Sequence, residues 1–184
     1  MSVTLEQPTA LLVVDIQSGT LSNAQAVSAE IMVKNARLLV DAFHAAARPV
    51  IFALSTGTPA VQTAANSGGR RFPDEFAILD PRLGRRDEDI VVKRSAWSAF
   101  AQTGLKQSLD TLGVTELVIV GLATTYGIES TVREAADSGI HAVVPIDAIS
   151  GPIADHHKAA LAERFPLLAR PCTTADVLAA LDGS

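Results

Sequence analysis

Apolar runs recur along the chain, separated by stretches long enough for helices. That alternation is the signature of βαβ units wound around a parallel sheet. Ala10-Leu-Leu-Val-Val14, ahead of Asp15, is wholly apolar, as a strand covered on both faces must be. Pro49–Leu54, Ile90–Val92, Glu116–Val120 and His141–Ile146 repeat the pattern, and Pro145 marks a strand end or an edge. A short sixth strand is expected near Leu168. Helices are expected at about 24–46, 101–112, 127–138 and 153–164, with a closing helix from about Thr174. In the first of them Ile31, Leu38, Leu39 and Phe43 fall near one face. The segment Ser55–Asp89 breaks this rhythm with Gly, Pro, Arg and Asp; a loop of that length is usually functional or mobile. No repeat or linker interrupts the chain. The pattern predicts a single-domain α/β fold over 1–184, a doubly wound, Rossmann-like parallel six-stranded sheet flanked by helices.

A chain of 184 residues with 48% apolar and 4% aromatic content suits one core built from Ala, Val, Leu and Ile. The formal net charge of -5 and the absence of a basic run give no footing for nucleic acid. No apolar run approaches the roughly 20 residues a bilayer span needs. The start, Met1-Ser-Val-Thr-Leu-Glu6, lacks the charged and apolar regions of a signal peptide. A cytoplasmic protein with no membrane partner is expected. The single cysteine, Cys172, excludes an intrachain disulfide and reads as a packing residue.

Three segments carry candidate chemistry. Asp15 ends an apolar strand, and open α/β sheets bind ligands beyond the carboxyl ends of their strands. Framed by Val13, Val14 and Ile16, its carboxylate is poised for a raised pKa that suits a general acid; a plain turn cap through Gln17-Ser-Gly-Thr20 is the alternative. Lys93 leaves the strand Ile90–Val92 at the same edge, followed by Arg94, Trp97 and Phe100, and a solvated surface lysine is its alternative. Gly127 follows Thr124-Thr125-Tyr126 and opens a helix whose free N–H groups favour anions; easing a turn is its alternative.

Taken together, Val13-Val-Asp-Ile-Gln17, Val92-Lys-Arg-Ser-Ala-Trp-Ser-Ala-Phe100 and Val120-Gly-Leu-Ala-Thr-Thr-Tyr-Gly-Ile-Glu-Ser-Thr-Val-Arg133 resemble the isochorismatase-like hydrolase superfamily. Asp147-Ala-Ile149, Phe165-Pro166 and Thr173-Thr174 extend the likeness over nearly the whole chain. Most members of that superfamily carry Asp, Lys and Cys on the three segments. The resemblance implies Asp15, Lys93 and Gly127 as the catalytic positions, with Lys93 beside the aspartate. Gln17, Trp97, Thr124 and Tyr126 are the candidate substrate contacts. It further implies a non-proline cis peptide at Ala123–Thr124 and a homo-oligomer, either dimer or tetramer.

Glycine in the third place removes the thioester route, since no residue of the motif replaces the thiol as a nucleophile. Isochorismatases resemble this chain in having glycine there. Their vinyl-ether hydrolysis needs only an acid to protonate carbon and a water to finish, and helix amides would then lie near the substrate carboxylates. The resemblance therefore implies a small carboxylated metabolite as partner, with Arg70, Arg71, Arg82, Arg85 and Arg86 as further cations from the loop. A metabolite- or protein-binding relative without activity and a thiol-independent amidase are the alternatives. No metal or cofactor is expected. Phe52–Thr58 lacks the aspartate and histidines of metal-binding members, and His156-His157 diverge by about 100° on a helix, as surface residues do. Neither common glycine-rich phosphate loop is present.

Overall fold

The computed structural model describes residues 3–6, 8–65 and 67–183. Its strands are β1 (Thr9–Val14), β2 (Val50–Ser55), β3 (Ile90–Arg94), β4 (Glu116–Leu122), β5 (His141–Pro145), β6 (Ile149–Ser150) and β7 (Arg170–Cys172). All pair in parallel, in the order β3-β2-β1-β4-β5-β7, with β6 added beside the end of β4. The sheet thus has seven strands where six are predicted. The additional one is a two-residue strand, too short to leave an apolar run in the sequence. The last predicted strand forms at Arg170–Cys172, because Leu168 still belongs to a short helix. Pro145 stands at a strand end, inside the sheet rather than at its edge, since β5 is flanked by β4 and β7.

The helices are α1 (Ala29–Ala45), α2 (Leu105–Thr111), α3 (Glu129–Asp137), α4 (Ala154–Ala159), α5 (Phe165–Leu168) and α6 (Thr174–Asp182). Alternate strand residues face opposite ways, and two apolar clusters form accordingly. Leu11, Val13, Phe52, Val118 and Val120 pack on α1 and α6 through Met32, Leu39, Phe43 and Val177. Leu12, Val14, Ile51, Leu117 and Ile119 pack on the other helices through Leu105, Leu109, Val132 and Phe165. Helix α1 starts five residues later than predicted, where the Ser28 hydroxyl accepts from the Ile31 N–H at 3.3 Å. Its buried stripe is Met32, Val33, Ala36, Leu39, Val40 and Phe43, while Ile31 and Leu38 face water. Helix α2 is also shorter than expected, and α3 is preceded by a π-helical turn over Thr124–Ile128. Helix α6 begins at Thr174 as expected, because Thr173 and Asp176 form a capping box.

The sheet changes winding direction between β1 and β4, so a crevice opens beyond their carboxyl ends. Gly121 permits that close central pairing. Its φ is 115°, and an added Cβ would lie 2.0 Å from the carbonyl oxygen of Val14. Gly121→Ala is expected to lose about 3 kcal/mol of stability through clash and an unfavourable φ. Urea unfolding measures it, and an unchanged midpoint would contradict the packing.

Candidate active site

Asp15 stands one residue past β1, at the winding reversal. Its φ of 52° is a left-handed conformation that side chains other than glycine adopt at a cost of about 1–3 kcal/mol. Two contacts hold it there: its N–H donates to Ala53 O at 2.9 Å, and the Thr20 hydroxyl donates to its carbonyl oxygen. The carboxyl is buried and lines a cavity of ≈ 410 Å³. Burial pushes its pKa above the ordinary carboxylate value, and the charge and hydrogen bond of Arg94 oppose that rise without cancelling it.

Arg94, the last residue of β3, donates from Nη2 to Asp15 Oδ2 at 2.8 Å. The two are separated by β2, and neighbouring strands lie about 4.8 Å apart, so only a long side chain bridges the gap. Lys93 does not join them. Successive strand residues point to opposite faces, and Lys93 is exposed, lining a separate depression with Arg71 and Ser95. The expected aspartate–lysine pairing is therefore corrected to Asp15–Arg94. Asp15 Oδ1 and Arg94 Nε are buried without a hydrogen-bond partner among the described residues.

Gly127 lies on the π-helical turn after β4. A Cβ built there would sit 3.0 Å from Leu122 O, 3.1 Å from Arg94 Nη2 and 3.4 Å from Asp15 Oδ2. The third segment thus reaches the same point as the other two, and the room a side chain would fill borders the ion pair. The turn's amides are less available than expected, since Tyr126 N–H and Ile128 N–H both donate to Ala123 O, at 2.9 and 3.1 Å. The cis peptide is Leu122–Ala123, one bond before the expected position; the motif located the turn but not its register.

Of the predicted substrate contacts, Trp97 and Tyr126 line the cavity, their ring centroids 5.5 Å apart. Gln17 does not. Its side chain is fully buried, donating to Ser55 O and Phe76 O at 2.9 Å each and accepting from Ser55 N–H at 2.9 Å, so it ties the loop to the sheet. Thr124 is also fully buried, with its hydroxyl 2.7 Å from His157 Nδ1. His157 is thus an interior residue rather than the surface histidine expected of the His156-His157 pair, and burial lowers its pKa. Of that adjacent pair, His156 alone is exposed.

The long loop folds over the site of its own chain. Phe72 and Phe76 line the cavity with centroids 4.1 Å apart, and Phe76 packs where a side chain at Gly19 would stand. These two aromatics and Arg94 are the residues that sequence reasoning missed. The Val92–Arg94 spacing marks one strand face and was the available signal for Arg94. The loop arginines lie elsewhere: Arg82 pairs with Asp80 at 2.5 Å, Arg71 lies 3.9 Å from Asp74 and Arg86 3.9 Å from Glu88. Among the described residues, Arg94 is the sole basic side chain lining the cavity. No group of three His, Cys, Asp or Glu side chains placed to hold a metal ion is found among them either.

The isochorismatase domain model matches residues 9–176. The chain belongs to the isochorismatase family of hydrolases. It is 32% identical over 179 residues to the isochorismatase family protein YwoC of Bacillus subtilis, covering 94% of this chain and 93% of that one. An isochorismatase family protein from Burkholderia thailandensis superposes with a TM-score of 0.93 at 33% identity, covering 99% of this chain and 100% of the other. The ureidoacrylate amidohydrolase RutB of Acinetobacter baylyi is 27% identical over 183 residues, covering 82% of this chain and 74% of its own length. No helix among the described residues is long and apolar enough to cross a membrane.

Proposed function

We propose that this isochorismatase-family hydrolase cleaves a small enol ether without a covalent intermediate, with Asp15 as the acid. The observation that carries the reading is Asp15 itself, strained, buried, raised in pKa and lining the cavity. A carboxyl whose pKa is raised by burial is suited to giving its proton to carbon. The proton passes from Asp15 to the alkene carbon of the substrate, and the π pair forms the new C–H bond. The oxocarbenium carbon left behind takes a water oxygen, and the water proton returns to Asp15. The hemiketal then opens to a carbonyl product and an alcohol. Arg94 holds the carboxylate during the interval when it is charged.

With Arg94 as the sole basic side chain lining the cavity among the described residues, at most one anionic group of the substrate meets a cation near the reacting bond. The name of RutB points to amide cleavage in the family, and that reading is the competitor. The test incubates purified protein with enol ethers, isochorismate among them, and with simple amides, following pyruvate and ammonia. Carbonyl release that survives chelators and disappears in Asp15→Asn supports the proposal; ammonia release with no carbonyl product refutes it.

The absent thiol gives a second measurable outcome. Burial pushes Cys172, the single cysteine, up to about 12, so the wild-type protein should resist iodoacetamide at pH 7. Gly127→Cys places a thiol beside Arg94 and should label at least tenfold faster. Equal labelling of the two would show that position 127 does not open to the cavity.

A further inference from the structure

His157 is a buried titratable group on α4 that does not line the cavity. Burial lowers its pKa, so the ring is neutral near pH 7. A neutral imidazole has one donor and one acceptor nitrogen, and a hydroxyl takes either role. The 2.7 Å bond between His157 Nδ1 and the Thr124 hydroxyl therefore forms with either tautomer.

Thr124 is the first residue of the π-helical turn Thr124–Ile128, which brings Tyr126 and Gly127 to the cavity. The turn has little to hold it from within. No side chain caps its start, Gly127 has none to anchor, and Tyr126 is 44% exposed. Among the described residues, the bond to His157 is the one side-chain hydrogen bond that residues 124–128 make. A second tether lies just past the turn. Arg164 donates from Nε to both carboxylate oxygens of Glu129, the first residue of α3, at 3.0 and 3.1 Å. His157 and Arg164 thus hold the two ends of the turn from one helical segment, 154–164.

The position of the turn bears directly on the ion pair. A Cβ at residue 127 would lie 3.1 Å from Arg94 Nη2 and 3.4 Å from Asp15 Oδ2, so a small displacement changes the space beside both. A misplacement of about 1 Å can cost on the order of 10²-fold in rate. We propose that His157 is a positioning residue for this active site: through the Thr124 hydroxyl it fixes the turn that presents Gly127 and Tyr126 beside Asp15 and Arg94. Which reaction the turn serves rests on the hydrolytic reading above; its geometry does not.

The test compares His157→Leu, Thr124→Val and their double variant with His157→Asn, whose amide reaches the place of Nδ1 and keeps a hydrogen bond. His156→Leu, on the exposed neighbour, is the control. In the enol-ether assay each single variant should lower kcat about tenfold and change KM less than about threefold, because Asp15 and Arg94 are held by other strands. The double variant should be no slower than the worse single one, as two halves of one bond require. His157→Asn should recover most of the rate, and His156→Leu should match wild type. Thr124→Val is nearly isosteric, so it keeps the test open if His157→Leu does not fold.

Iodoacetamide labelling of Gly127→Cys reads the same geometry without turnover. Adding Thr124→Val or His157→Leu should move the thiol from Arg94 and slow labelling by about threefold or more, whereas His157→Asn should not. Unchanged kcat and labelling in the folded variants would overturn the proposal, even with a lowered Tm, since His157 would then act in packing alone. Additive losses in the double variant, or His157→Asn no better than His157→Leu, would overturn it as well. Failure of the hydrolytic reading shows differently: no enol ether is turned over, and the labelling rates alone uphold or overturn the role of His157.

Discussion

Asp15→Asn should lower kcat/KM by about 10³-fold, within the range lost with a positioned general acid, while the protein remains folded. An amide at this position cannot give a proton to carbon, yet it fills the same space and keeps an oxygen to accept from Arg94. The pKa direction argues that stability will not fall. The native state holds the Asp15 proton more tightly than the unfolded chain does, whose carboxyl titrates near the ordinary 3.8. The contribution of Asp15 to native stability is therefore greatest below that value and declines as pH rises through the raised native pKa. Above that pH the ionised side chain is a cost that asparagine does not incur. Thermal unfolding at pH 8 should give the variant a Tm equal to or above that of wild type. In the wild type, kcat/KM should be high while Asp15 is protonated and fall on the alkaline side of its pKa. Full turnover in the variant, or an alkaline limb unaffected by the substitution, would remove Asp15 from the mechanism.

Arg94→Met should have the second largest effect, and its signature is a stability defect that depends on pH. The side chain of Arg94 is 2% exposed, and its 2.8 Å bond is the one ion pair that Asp15 forms among the described residues. Removing one partner of a buried pair leaves the other charged and poorly solvated, at a cost of about 3 kcal/mol. That cost applies only where Asp15 is ionised, so it should be largest at alkaline pH and shrink as the carboxyl takes up a proton. The lost arginine also removes the influence that lowers the Asp15 pKa. The alkaline limb of activity should accordingly move to higher pH than in wild type. Arg94→Lys keeps the charge but loses the fork of donors and some reach, and should fall between the two. Urea unfolding at acid and alkaline pH, set beside kcat/KM over the same range, measures both effects. A defect equal at all pH values would mean that Arg94 acts through packing alone.

These two residues also show how far the chain could be read before folding. Asp15 was legible because a fully apolar strand precedes it and parallel sheets gather ligands at that end. Arg94 was harder. Lys93 and Arg94 are adjacent basic residues on one strand, and a shift of one residue reverses the face. Composition does not settle that parity; it depends on which face β3 turns toward β2, seen in the pairing of Ala53 with Val92 and Ser55 with Arg94. Likewise, Thr124 and His157 are 33 positions apart, and no local pattern links them. Gln17 reads as a ligand contact on a loop, yet its amide is consumed by Ser55 and Phe76. Its partners became visible only when the loop returned to the sheet.

What the sequence determined by itself follows from short-range rules. Apolar runs define the principal strands, alternation with helical segments defines a parallel sheet, and Gly127 excludes a thiol at the third position. The tertiary structure decided what depends on contacts between distant segments. It set the parity of β3 and hence the Asp15–Arg94 pair, added β6 beside Gly121 and Leu122, and buried His157. It also brought Phe72 and Phe76 over the cavity. The physical reason is that side-chain direction and burial belong to the closed sheet and its packed loops, where pairing register and long-range hydrogen bonds override local preference.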